Sequence, residues 1–410
     1  MIELKELSEV CDLKNGFAFK SKDYIEYSNT ISLRMSNIRP EGKFDSSYNQ
    51  RFLPDSFIQK YSDYLLRDGD LVIAMTDLAN DPKILGVPTI VETNGFNWLL
   101  NQRVGKLVIK DKEKADKRYL KFILNHPSLK DYYKKFAGGG LQINIGKNDV
   151  LSVAIPLPPL KTQKQIASIL DDAQALKQKT EQLLKEYDEL AQSIFLDMFG
   201  DPATNPKNFP RRYLKEFYID EKAGVKCGPF GGALKKHEYV DSGIAVWNMD
   251  NISKNGELID KINLWINERK YNELKSYSVK NDDIIISRAG TVGKMSIIKT
   301  NHEYSIISTN LIRLRLNRKL LLPLFFTLMM TYFKERVGRL KTGGEGTFTH
   351  MNTGVLNNIS FPYPDIDLQN QFAEKIKLIE QQKEFAKQEL KESEDLFQAL
   401  LQKAFKGELA

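Results

Sequence analysis

Residues able to make or break bonds are present in this chain, but not at the spacings that bond chemistry requires. Gly146-Lys147 is followed by Asn148 and Gly293-Lys294 by Met295, and neither pair has the upstream glycine of a nucleotide-phosphate loop. No GxGxxG stretch opens a helix after a strand. Asp201-Pro202 and Asn205-Pro206 lack the second proline of the N/D-P-P-Y/F signature of amino-methyltransferases. His126, His237, His302 and His350, with Cys11 and Cys227, are too scattered for a zinc site. Pro364-Asp365 with Glu389-Leu390-Lys391 spells a nuclease-like string, but Glu389 and Lys391 would point about 200° apart on a helix. The expectation is a non-catalytic chain with no metal site and no cofactor.

The chemistry of recognition remains. Reading double-stranded DNA takes cations for phosphates and amides or guanidinium groups for base edges. In the first half the candidates are Lys14, Asn15 and Lys20 around GFAF (16–19), Arg34 and Asn37, Thr76, Gln102 and Arg103, and Gln142 and Asn144 after a glycine run at 138–140. In the second half they are Lys226 and Lys235 around CGPFGGAL (227–234), Asn248, Arg288 and Thr291, Asn310, and Lys341, Thr347 and His350 around a second glycine-rich stretch. Glycines let backbone approach a phosphate closely. Charge points the same way. The chain is +7 overall, while residues 161–199 carry five lysines against seven acids and residues 365–410 seven against ten. The positive excess therefore lies outside those two stretches, which suits a polyanion there and protein partners on the acidic ones.

These loops need a frame. Short β-type runs near 31–34, 71–75, 89–91 and 106–109 and a helical stretch at 116–135, broken before Pro127, indicate an α+β globule. The plan then repeats: LKEL (4–7) echoes LKEF (214–217), MSNI (35–38) echoes MDNI (249–252), and DLVI (70–73) echoes DIII (283–286). The 410 residues thus divide into globules at 1–155 and 206–361, each followed by a helical segment, 156–205 and 362–410. At 41% hydrophobic the chain can bury real cores. It has no apolar run of about 18 residues to span a membrane and no secretory leader. Its two cysteines suit a reducing, cytoplasmic setting.

Both helical segments carry heptads. In the first, Ile166, Ala173, Tyr187 and Ile194 recur with Ile169, Leu176, Leu183 and Leu190 three positions further on. In the second, Phe372, Ile379 and Leu400 alternate with Ile376, Leu390 and Phe397, and Lys383 and Ser393 interrupt the seam. A helix over 162–199 would be roughly 55 Å long at 1.5 Å per residue. Two such stripes in one chain predict an intramolecular antiparallel coiled coil, with a globule at either end of the rod. A homodimer through either helix is the alternative.

The doubled pattern resembles the specificity subunit of a type I restriction–modification system. Its carriers are IPLPP (155–159) with QKQIA (163–167), FPYP (361–364) with QNQFA (369–373), Leu214-Lys-Glu-Phe, Asp70 and Asp283 ahead of apolar strands, and the glycine-rich stretches before each final strand. The resemblance implies two target-recognition domains, each reading one half of a bipartite, asymmetric DNA site. It implies helices that fix the gap between the halves and dock two methyltransferase subunits, and a separate motor–nuclease subunit. Within such a complex, a site-specific deoxyribonuclease and adenine methyltransferase, S-adenosylmethionine, ATP and Mg²⁺ would belong to the partners. A stand-alone DNA-bridging protein and a two-headed scaffold that binds no DNA are the other readings.

Overall fold

The architecture is that of a computed structural model, which describes residues 4–136, 141–253, 255–288, 292–342 (backbone alone from 334) and 351–409. The chain divides into two units: residues 1–182 with 387–410, and residues 183–386.

In the first unit, β2 (Cys11–Asn15), β10 (Val104–Ile109), β6 (Leu71–Ala74) and β8 (Pro88–Ile90) form an antiparallel sheet in that order. A second sheet runs β4 (Phe52–Leu53), β3 (Thr30–Leu33), β9 (Asn97–Leu100) and β5 (Leu65–Leu66), with β3 and β9 parallel. Two ribbons complete the unit: β1 (Leu4–Glu6) pairs with β12 (Ala154–Pro156), and β7 (Thr76–Leu78) with β11 (Gln142–Asn144). Strands β3 and β6 are buried throughout, as expected of apolar runs covered on both faces. The helical stretch is broken at Pro127 into Lys117–Leu124 and Pro127–Lys134, with Asp116 and His126 as N-caps.

The second unit repeats the plan. Its antiparallel sheet runs β14 (Val225–Cys227), β20 (Leu311–Leu314), β17 (Ile284–Ser287) and β18 (Met295–Ile297). Its mixed sheet runs β16 (Trp265–Ile266), β15 (Ile244–Trp247) and β19 (Ser305–Ile307), with β15 parallel to β19. A ribbon of β13 (Arg211–Tyr213) and β21 (Ser360–Pro362) matches β1 with β12. The fold is α+β in tandem, as the repeat predicts.

The central helix runs from Leu160 to Phe199 and the C-terminal helix from Ile366 to Lys406. In the first unit Ile166, Ala167 and Leu170 share a core with Leu401 and Ala404. In the second, Ala191, Phe195 and Phe199 share one with Phe372, Ile376 and Ile379. The start of each helix thus meets the end of the other, an antiparallel pairing within one chain.

Along the C-terminal helix Phe372, Ile376, Ile379, Lys383, Ala386 and Ser393 are buried and Leu390, Phe397 and Leu400 half-buried. The central seam needs a correction. Ile166, Ala173, Tyr187 and Ile194 face the partner, but the companion positions lie four residues further on, at Leu170, Lys177, Leu184, Ala191 and Met198. Ile169, Leu176 and Leu190 are 40–49% exposed, and Leu183 lies at the edge of the seam. Spacings of three and four both keep one helix face, so four apolar residues at +3 imitate a seam that runs along +4.

Lysines 177 and 383, 206 positions apart, occupy equivalent seam positions. Lys177 pairs with Glu394 at 3.1 Å in the first unit, and Lys383 with Asp188 at 2.8 Å in the second. Asp188 and Glu394 are themselves 206 apart. The lysine that interrupts the heptad pattern is therefore a cross-helix ion pair, made twice.

Candidate nucleic-acid interface

The frame of each half is built from polar residues that bond within the fold. Gln163, fully buried, donates to the Pro158 and Lys114 carbonyls at 2.8 Å and accepts from the Asp116 amide at 2.9 Å. Gln369 repeats this with Pro364, Leu320 and Leu322, each shifted by 206. Each glutamine ties the start of a long helix to the chain entering the next-packed helix. Asp70 takes the Lys106 ammonium at 2.6 Å, and Asp283 holds Arg315 through two bonds at 2.7 Å. These carboxylates also accept from the Arg67 and Lys280 amides, closing the turn before β6 and β17. Beside them Arg313 is buried in β20 and donates to the Ser278 and Ala223 carbonyls. Burial first, then the neighbouring Arg315, push its guanidinium down to about 10.

On this frame the first half gathers its candidate loops along one rim. The loop after β2 is rooted at Gly16, where a β-carbon would overlap the Asn101 carbonyl. The Phe17 amide donates to Leu100, the Gln102 amide to Phe17 and the Asn101 amide to Leu33, which joins Lys14–Lys20, Gln102–Arg103 and Arg34. The Met75 amide donates to Arg103 and the Ile145 amide to Met75, which adds β7 and β11. Asn15, Lys20, Gln102, Gln142 and Asn144 are exposed, and Arg34 and Arg103 half-buried. The Lys14 ammonium donates to the Asp63 carbonyl and lies 5.4 Å from the Tyr64 ring centre.

Two candidates fail here. Asn37 is buried: its Oδ1 accepts from the Arg34 amide and its Nδ2 donates to the Asp45 and Tyr48 carbonyls. Asn251 repeats this with Asn248, Ile259 and Lys261, so the shared asparagine clamps a turn and has no group left for a base. Thr76 is also buried and donates to Asn144 Oδ1 at 2.7 Å; it positions Asn144, which carries the exposed amide.

In the second half Gly228 is pressed against the Ser308 carbonyl as Gly16 is against Asn101. The Gly228 amide donates to Leu311, the Ser308 amide to Trp247 and the Arg288 amide to Asn310, which brings Lys226, Asn248, Arg288 and Asn310 together. Lys235 and Asn310 are exposed. Lys226 lies 5.0 Å from the Tyr277 ring centre. Asn248 caps a short turn, accepting from the Asp250 amide at 2.7 Å. Thr291, Thr347 and His350 lie outside the described residues, as do both glycine runs, and Lys341 belongs to the backbone-only end of the helix Pro323–Thr342. Phe230, which composition did not single out, stands on this rim with the Arg288 guanidinium over its ring.

Among the described residues no three His, Cys, Asp or Glu side chains could hold a metal ion. No described helix is long and apolar enough to cross a membrane.

The family described as type I restriction modification DNA specificity domain matches residues 2–186 and 230–394. The type I restriction enzyme MjaVIII specificity subunit of Methanocaldococcus jannaschii is 25% identical over 317 residues, 73% of this chain and 72% of its own length. The EcoBI specificity subunit of Escherichia coli is 20% identical over 428 residues, 98% of this chain and 85% of its own. The fold is that of the S subunit from M. genitalium, a crystal structure matched at a TM-score of 0.56 and 15% identity over 98% of this chain and 96% of that one. Since the family's match spans both halves and most of both long helices, this chain belongs to the DNA specificity subunits of type I restriction–modification systems.

Proposed function

We propose that residues 1–155 and 206–361 act as two target-recognition domains, each reading one half of a bipartite, asymmetric DNA site. Residues 156–205 and 362–410 are the helical segments that set the number of base pairs between the halves. The observation that carries this reading is the rim built twice on one frame: a glycine-rooted loop beside the ends of β9 or β19, lined by amide and cationic side chains that differ between the copies. A shared frame with divergent edges is what two readers of different sequences require.

The chain itself does no bond chemistry in this reading. It works in the cytoplasm, in a complex where two methyltransferase subunits dock on its helices and motor–nuclease subunits cut. Ile169 and Leu176 in the first unit and Leu378 and Phe385 in the second support helix docking, because each leaves an apolar side chain exposed on a helix whose other face is already buried. Exchanging residues 206–361 for the corresponding segment of another specificity subunit, followed by methylome sequencing, tests the assignment. One half of the methylated site should change and the other remain; a change in both halves, or in neither, overturns it.

A further inference from the structure

The two rims differ in one loop. In both halves it starts at the glycine pressed on a strand-end carbonyl, Gly16 or Gly228, and ends at a lysine whose amide is capped by an acid three residues on. Those bonds are Lys20 to Asp23 at 2.7 Å and Lys235 to Glu238 at 2.6 Å. Three residues separate glycine from lysine in the first half (17–19) and six in the second (229–234). Letters alone pair GFAFK (16–20) with GGALK (231–235), but the geometry pairs Gly16 with Gly228 and not with Gly231, so the second loop carries three additional residues.

The longer loop changes the fate of its aromatic residue. Phe17 packs against Tyr61 at 4.5 Å and Tyr64 at 5.4 Å between ring centres, inside an aromatic cluster. Phe230 is 57% exposed, and its ring contact among the described residues is the Arg288 guanidinium, 4.5 Å from the ring centre. Proline 229 restricts the backbone just before it. Arg288 is anchored by its amide to Asn310, and among the described residues no carboxylate neutralises it. An aromatic ring and an unneutralised guanidinium thus stand together on the rim.

We propose that Phe230 is a wedge that inserts at a base step of the DNA half-site read by residues 206–361, with Arg288 on the adjoining phosphate. This rests on the reading of that segment as a DNA-recognition domain. Apolar side chains placed so unstack a step and gain contact with the exposed base faces, and a cation beside the ring holds the backbone in register.

The test uses the complex assembled with its methyltransferase subunits and the duplex that methylome sequencing identifies as its site. 2-Aminopurine is placed in turn at each position of the second half-site. With the wild-type protein, fluorescence should rise at one step. F230A should abolish that rise and weaken binding by about 5- to 150-fold, the range for losing one base–aromatic stack. F230L, which keeps an apolar wedge, should preserve the rise. R288A should lower the salt slope of binding by about one phosphate. Wild-type affinity in F230A, or no fluorescent step with the wild type, sinks the wedge. If exchange of residues 206–361 changes one half-site while F230A behaves as wild type, the wedge alone is wrong; if the exchange changes nothing, the reading beneath it is wrong as well.

Discussion

The lysine in the middle of the C-terminal seam makes the sharpest energetic prediction. Lys383 has a side chain 10% exposed, bonded to Asp188 at 2.8 Å and Glu380 at 3.1 Å, whose own side chains are 54% and 48% exposed. Burial works against its charge, but the two carboxylates outweigh it, and its pKa is raised. Lys383→Met keeps the methylenes that pack in the seam and removes the ammonium. The carboxylates left behind can still hydrate, so stability should stay within about 1 kcal/mol of wild type, in either direction. Lys383→Glu instead puts a third carboxylate among two in a site mostly closed to water. An uncompensated buried charge costs about 3–5 kcal/mol, and the half-exposed neighbours favour the lower end, about 3 kcal/mol. K383E/D188K should recover part of this, about half, by reversing the pair. The assay is hydrogen exchange at increasing urea, read on peptides from 183–199 and 366–386, which isolates this helix pair from the rest of the chain. Equal losses in K383M and K383E would show that shape alone matters at this position and refute the electrostatic argument. Because the folded pKa is raised, the pair's contribution is full below the ordinary lysine pKa and is lost only as pH rises through the higher folded value.

Three further predictions follow from the frame and the helices. Gln163→Leu leaves the Asp116 amide and the Pro158 and Lys114 carbonyls without their buried partner; a loss of about 2–3 kcal/mol should appear in urea denaturation of the first unit, and Gln369→Leu should do the same for the second. His126 stacks on Phe405 at 4.1 Å and meets Gln402 Oε1 at 2.9 Å, and burial lowers its pKa. The unfolded chain therefore takes up the proton first, and stability should fall as pH drops from about 6.5 toward the lower folded pKa; His126→Gln should flatten that slope in denaturation measured at pH 5.5 and 7.5. Removing one heptad from each long helix shortens each by about 10 Å. Methylome sequencing should then show a gap between half-sites shorter by about three base pairs, and an unchanged gap would dispose of the idea that the helices measure it.

Much of the fold was legible because its signals are local and doubled. Strand–turn alternation, the break at Pro127 and the 206-residue offset all follow from residue types at fixed spacings. The central seam misled because Ile169, Leu176, Leu183 and Leu190 are more apolar than Leu170, Lys177, Leu184 and Ala191. The copy supplies the missing test: shifting Ile376, Lys383, Leu390 and Phe397 back by 206 lands on the true companions, lysine included. Asn37 teaches the converse for the candidate interface. Residues that recur in both halves, Asn37 with Asn251 and Asp70 with Asp283, hold the frame, so recognition has to be sought where the halves differ. Phe230 was hidden because matching the two loops by their glycine and lysine letters absorbs the three additional residues. The close approach of Gly228 to the Ser308 carbonyl, which leaves no room for a β-carbon, fixes where the second loop begins.

The paired lysines carry one more consequence. Lys177 meets an acid at position 394 and Lys383 one at 188, so within each helix the lysine and the acid that answers the other helix's lysine are eleven residues apart. Each helix thus holds both members of the bond, which is the arithmetic of an isologous contact between identical subunits. Each half of the chain thus carries the self-complementarity that a contact between two identical copies requires. A half-gene would encode everything one side of the seam asks of the other. Shuffling at this boundary can therefore recombine the reading halves of different chains without redesigning what holds them together.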